Sequence, residues 1–159
     1  LGTFIMNTLS WSTQVSENLK KGQQRLYFLR RLKSFGVNRH ILINFYRCVI
    51  ESCLTSSIIV WYNATPKCEI DKLNRVVKNA SRIIGIKLND MESVYDKRMK
   101  TRVANIVKDA HHPANEFFHM MPSGRRMRSI GAKTNRFRNS FMPSAVRVFN
   151  NGNNSMVSK

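Results

Sequence analysis

The alternation of apolar and polar positions sorts most of the chain into helices. Between Ser12 and about Phe35, Val15, Leu19, Gly22, Leu26 and Leu29 recur at steps of four and three, which predicts a helix with one apolar face. Gly36 is its expected stop. A second helix is expected from Asn38, as cap, to about Trp61, with Ile41, Phe45, Val49 and Cys53 facing inward. A third opens at Thr65 and Pro66, because proline suits the first helical position and Glu69 and Asp71 complement the positive end of the helix dipole. Its stripe is Ile70, Leu73, Val77, Ala80 and Ile84, and Gly85 ends it. Asp90 caps a fourth helix to about Lys108, with Val94, Val103, Ile106 and Val107 as its apolar set, before Pro113 stops it.

The ends of the chain read differently. Leu1 to Ile5 alternates loosely as one strand, which needs a partner sheet and so implies a portion upstream, as does the opening Leu. After Pro113 the periodicity is lost: Phe117, Phe118, Met120 and Met121 cluster, Pro122 to Gly124 form a turn, and a basic segment follows. A short helix is expected from Pro143 through Phe149, and Asn151 to Lys159 is expected to fray.

Charge adds a partner to this outline. The 159 residues carry 27 Lys and Arg against 9 Asp and Glu, a net charge of +18. Such an excess repels itself unless a polyanion is near, and nucleic acid is the leading candidate. An acidic membrane surface would call for an isolated basic amphipathic helix with exposed aromatics, and none is read here. The apolar run Ser56 to Tyr62 is too short to span a bilayer, and no secretory signal is read in Leu1 to Trp11, so the chain is expected inside the cell, in nucleus or cytoplasm. Two clusters carry the candidate contacts. From Arg125 to Arg147 there is no acidic residue, and Arg125, Arg126, Arg128, Lys133, Arg136 and Arg138 are the expected phosphate ligands. Phe137 and Phe141 among them are expected to pack on the core rather than to stack on bases. On the first helix, Lys20 and Arg31 lie opposite the apolar face and Lys21 and Arg25 on its flanks, a second surface for RNA, DNA or a hybrid duplex.

Catalytic chemistry finds little in the sequence. Asp71, Asp90, Asp96 and Asp109 are isolated, so no converging carboxylates for a two-metal site are expected. His111, His112 and His119 have no second ligand at a metal-binding spacing, and the first two belong to a helix-ending turn beside Pro113. Cys48, Cys53 and Cys68 form no ladder and are expected as buried free thiols. No metal, cofactor or small-molecule substrate is expected, and the chain by itself is expected not to be an enzyme.

The ordered segments also resemble the region that follows the catalytic palm in LINE-type non-LTR retrotransposon reverse transcriptases. Leu1-Gly2 with Leu9-Ser10-Trp11 is similar to the strand and turn that leave the palm. Gln23-Gln24-Arg25-Leu26 and Phe28-Leu29-Arg30 resemble the first thumb helix; Phe45-Tyr46-Arg47, Ile50-Glu51-Ser52, Leu54 and Trp61-Tyr62 resemble the next. Pro122 to Arg126, Thr134 to Phe137 and Asn139 to Phe141 resemble the basic stretch at the C-terminal end. The resemblance implies a thumb that grips primer and template, with the palm, an upstream domain of the parent polyprotein, as its partner. The paired aspartates of that palm, the fingers and a C-terminal Cys/His knuckle are not in this sequence. The combined expectation is a mainly α fold: a four-helix, thumb-like bundle with a short N-terminal strand and an irregular basic C-terminal arm. Its divisions are residues 1–11 as a remnant of the palm, 12–112 as the helical domain, 113–150 as the arm and 151–159 as a disordered tail. The alternative is a degenerate or host-recruited retroelement remnant acting as a helical interaction module.

Overall fold

The computed structural model of the protein describes residues 11–154. The strand expected at Leu1–Ile5 lies outside them. The fold is mainly helical, and among the described residues the only extended pairing is an isolated antiparallel bridge between Met120 and Met127. The chain divides into two compact units, Leu1–Val94 and Tyr95–Lys159.

In the first unit, α1 (Ser12–Ser34) packs against α5 (Lys67–Ile84) and against the helical run between them. That run is α2 (Arg39–Phe45), a π-helical segment (Tyr46–Glu51), α3 (Ser52–Leu54), α4 (Ile58–Trp61) and a 3₁₀ turn (Tyr62–Ala64). Its start follows the expected chemistry, since the Asn38 side chain accepts the His40 N–H at 2.9 Å. Its inward face does not. Leu42, Tyr46, Ile50 and Leu54 are buried, whereas Ile41 is 54% exposed and Phe45, Val49 and Cys53 are half-buried. In a regular α-helix three steps of four would carry the face about 120° around the axis. The wider π turn offsets that drift and keeps these four positions on one side. The helix also breaks earlier than expected: Ser57 adopts a left-handed φ of 52°, and the fully buried Trp61 donates its indole N–H to the Ser56 carbonyl at 2.7 Å. Burial, with the nearby Glu51 charge adding to it, holds the Tyr46 phenol well above its ordinary pKa.

Two helices match their patterns. On α5, Ile70, Leu73, Val77, Ala80 and Ile84 are all buried, and Gly85 ends the helix with φ 80°. On α1, Val15, Gly22, Leu26 and Leu29 are buried, joined by the polar pair Gln14 and Asn18, while Leu19 is half-buried. The stretch Arg39–Ala64 reaches a mean hydropathy of 1.2 over a membrane-spanning window, so among the described residues one helix is long and apolar enough to cross a membrane by length and composition alone. The apolar run Ser56 to Tyr62 understates it because the apolar residues are spread over the whole stretch. In this structure Leu42, Ile50, Leu54, Ile58 and Trp61 are buried in the unit's own core, and 28% of that window is buried in all.

The first unit's packing joins α1, the run from Arg39 and α5, and the division between the units falls inside α6 (Met91–Lys108), just after Val94. α6 begins where expected: the Asp90 carboxylate accepts the Ser93 N–H at 2.9 Å. It buries Met91, Tyr95 and Met99 as well as Val94, Val103 and Ile106, and leaves Val107 39% exposed. In the second unit, the Asn115 amide closes the end of α6 by donating to the carbonyls of Ile106 and Asp109 at 3.0 and 3.2 Å. α8 (Phe141–Asn154) is longer than the helix expected from Pro143. Pro143 falls in its first turn, where a missing N–H costs nothing.

Candidate nucleic-acid interface

The C-terminal basic segment is built on short-range backbone pairing. Around the turn at Gly124, where φ is 64°, Met121 N donates to Arg126 O at 2.7 Å and Arg128 N to His119 O at 2.8 Å. Met127 between them points inward at 2% exposure, which turns Arg126 and Arg128 outward by the two-residue period of extended chain. Further along, the Thr134 hydroxyl caps a single turn, α7 (Asn135–Arg138), by accepting the Phe137 N–H at 3.2 Å. Arg136, Phe137 and Arg138 are all exposed there. Phe137 is 45% exposed, so the expected core packing fails for it, while Phe141 is half-buried at the start of α8. Arg147 is committed to structure: its guanidinium donates to the Arg138 carbonyl at 2.6 Å and to the Ser144 hydroxyl at 3.0 Å. Arg125, Arg126, Arg128, Lys133, Arg136 and Arg138 are thus all at the surface of the second unit.

On α1 the cations differ among themselves. Lys20, Lys21 and Arg31 are exposed. Arg25 is half-buried, and its Nη1 donates to the Val49 carbonyl at 2.7 Å, inside the π segment. The Arg31 guanidinium lies 5.1 Å above the ring of Phe35, which is 71% exposed. Tyr27 and Phe28, more than half exposed, meet edge to face at 5.6 Å.

Two features escaped the sequence reading. Tyr27, Phe28 and Phe35 give the basic end of α1 exposed rings, which can stack on unpaired bases. On α5 the exposed face carries Lys72, Arg75, Lys78 and Arg82, of which the last three recur at steps of three and four. The same periodicity that marked the apolar stripe of α5 would have found this second one on its polar side.

The other candidate chemistry stays dispersed. No group of three or more His, Cys, Asp or Glu side chains able to hold a metal is found among the described residues. His112 Nδ1 accepts the Ala114 N–H at 3.0 Å and Asp109 accepts the His111 N–H, so both histidines belong to the turn after α6. The cysteines are free, as expected, but not buried: Cys48 and Cys68 are exposed and Cys53 is half-buried. Burial pushes the Cys53 thiol up, against the opposing pull of Arg25 and Lys21.

Residues 11–52 match the family model described as alkylated DNA repair protein alkB homolog 8, N-terminal. This corrects the reverse transcriptase expectation. The matched segment contains Trp11, Gln23 to Arg30 and Phe45 to Glu51, the residues on which the first half of that resemblance stood. The palm partner and the alternative of a retroelement remnant rested on the same resemblance. The match spans about a quarter of the 159 residues, covering α1, α2 and the π segment, and gives a likeness for that segment. No curated protein and no solved structure matches the chain significantly.

Proposed function

We propose that this chain is a helical module that holds a nucleic-acid backbone electrostatically and supplies binding rather than chemistry. The observation that carries the reading is the placement of charge: within a net +18, Arg125, Arg126, Arg128, Lys133, Arg136 and Arg138 stand at the surface of a segment without a single carboxylate. Lys20, Lys21 and Arg31, with Arg25 anchored beside them, form a second surface in the other unit. Guanidinium forks suit phosphate oxygens, and contacts to the backbone carry no sequence information, so binding is expected to be insensitive to sequence and steep in salt. The family matched by residues 11–52 is named for a DNA repair protein, which agrees with a nucleic-acid partner for that segment. Such a partner is met inside the cell.

The test is a titration of RNA, DNA and hybrid duplexes followed by fluorescence anisotropy at several salt concentrations. Replacing Arg125, Arg126, Arg128, Arg136 and Arg138 together by Gln should weaken binding and lower the slope of log K against log salt, by roughly 0.9 for each duplex DNA phosphate that is no longer neutralised. Unchanged affinity and slope would overturn the assignment.

A further inference from the structure

The groove between α1 and the helical run from Arg39 gathers several hydrogen-bond donors. It has a volume of about 570 Å³, and Asn18, Lys21, Arg25, Ser56 and Ser57 are among the residues that line it. No carboxylate is among its described lining residues. Asn18 is 3% exposed, and its Oδ1 accepts the Gln14 amide at 2.9 Å, yet its Nδ2 is buried with no partner. A buried donor left unpaired is costly, and a site that keeps one is a site that expects an acceptor. The Arg25 guanidinium is held in the groove wall by its bond to Val49 O, which fixes the plane in which its other N–H groups are presented. Lys21 adds an ammonium one helical turn away.

We propose that this groove binds a phosphoryl group. Asn18 Nδ2 donates to one oxygen, Arg25 and Lys21 balance the charge, and the Ser56 and Ser57 hydroxyls reach the remaining oxygens. Two cations and several neutral donors, without a competing carboxylate, suit a phosphoryl group, whether a monoester of nearly two charges with three free oxygens or a diester of one charge with two. The groove is much larger than that group alone, so the phosphate arrives on a larger body: the terminal monoester of a nucleotide or a diester of a nucleic-acid backbone. The proposal deepens the reading above at Lys21 and Arg25 and does not involve the C-terminal arginines.

Cys48 and Cys53 line the groove and Cys68 does not, which supplies a reporter and its control in one chain. An anion seated beside Lys21 and Arg25 covers Cys53 and cancels the cations that favour its thiolate, so both effects slow alkylation. Iodoacetamide labelling of the full chain, read by mass spectrometry at constant ionic strength, is the experiment. Inorganic phosphate and adenosine 5′-monophosphate should slow Cys53 by roughly three-fold or more and leave Cys68 unchanged, whereas adenosine should do neither. Protection by a duplex lacking terminal phosphates assigns the diester as the source; protection by the mononucleotide alone assigns the monoester; either supports the site. Lys21→Gln, at an exposed helical position, should abolish the effect. Equal slowing by chloride, equal slowing of Cys68, or no slowing by any phosphate overturns the proposal. Protection that survives in the variant lacking the five C-terminal arginines shows that the groove stands even where the outer surface fails.

Discussion

The Asn150 side chain closes both backbone hydrogen bonds of Met127: Met127 N donates to Oδ1 at 2.8 Å, and Nδ2 donates to Met127 O at 3.1 Å. Met127 is 2% exposed, so without Asn150 its peptide groups lose their partners away from water. α8 thereby pins the base of the turn that carries Arg125, Arg126 and Arg128. Asn150→Ala should cost about 2 kcal/mol, from buried groups left unpaired. Asn150→Asp, which keeps the acceptor and loses the donor, should fall between. Thermal unfolding gives the size, and hydrogen exchange at the Met127 amide gives the place. Unaltered protection of that amide in Asn150→Ala would sink the claim.

Gly22 of α1 faces Leu54 of α3 and Val76 of α5. A Cβ there would lie 2.6 Å from Leu54 Cδ2 and 3.4 Å from Val76 Cγ1, and Leu54 is fully buried with little room to yield. Alanine gains about 1 kcal/mol of helix propensity. Overpacking costs about 1–3 kcal/mol. Gly22→Ala should therefore be modestly destabilising, and Gly22→Leu should lose more than any propensity returns. Urea unfolding decides it: a Gly22→Leu protein as stable as the parent would mean that the helices do not meet at this residue.

The elements that were legible in the sequence are those whose apolar residues stand alone on a polar background. On α5, charged residues flank Leu73 and Ala80 on their far side, so the stripe has one possible phase and all five expected positions are buried. From Ile41 to Ile50 nearly every position is apolar or aromatic, and the spacing of four fits two adjacent phases equally. The π segment then selects the one that pattern alone did not. Charge run and exposure were legible together in the C-terminal segment, because six cations without acids have nowhere to go but outward. The anchoring of Arg25 was not: its partner is a backbone carbonyl 24 residues away, and carbonyls carry no mark in a sequence. Nor was the pairing of Asn150 with Met127, for the same reason.

Asp90 gives a pH dependence with a definite sign. Hydrogen bonds from the Ser93 side chain and then the Ser93 backbone hold its carboxyl below the ordinary value of 3.8. A depressed folded value means that the contribution to stability is fully present above pH 3.8 and is lost as pH falls through the lower folded value. The group is largely solvent-facing, so the size is that of an ordinary helix cap. Asp90→Ala should cost about 1 kcal/mol at neutral pH. The gap from the parent protein should shrink as the solution is acidified past the carboxylate range. Chemical denaturation at a series of pH values checks this, and a gap that grew on acidification would contradict the capping role.

The α1 cations should separate into two classes on substitution. Arg25 bonds a backbone carbonyl of the π segment, so Arg25→Gln should cost stability, at the low end of the roughly 1.5–3 kcal/mol typical of a hydrogen bond to a charged group, because the site is half open to water. Lys20 is exposed, and Arg31 is exposed and lies over the Phe35 ring at the end of its own helix, so Lys20→Gln and Arg31→Gln should leave the unfolding temperature nearly unchanged. Their effect should instead appear in binding, each lowering the salt slope on duplex DNA by about 0.9 if it meets a phosphate. The two readouts are independent, which makes the comparison sharp: an Arg25→Gln protein that unfolds at the same temperature as Lys20→Gln would show that the bond to Val49 holds nothing in place.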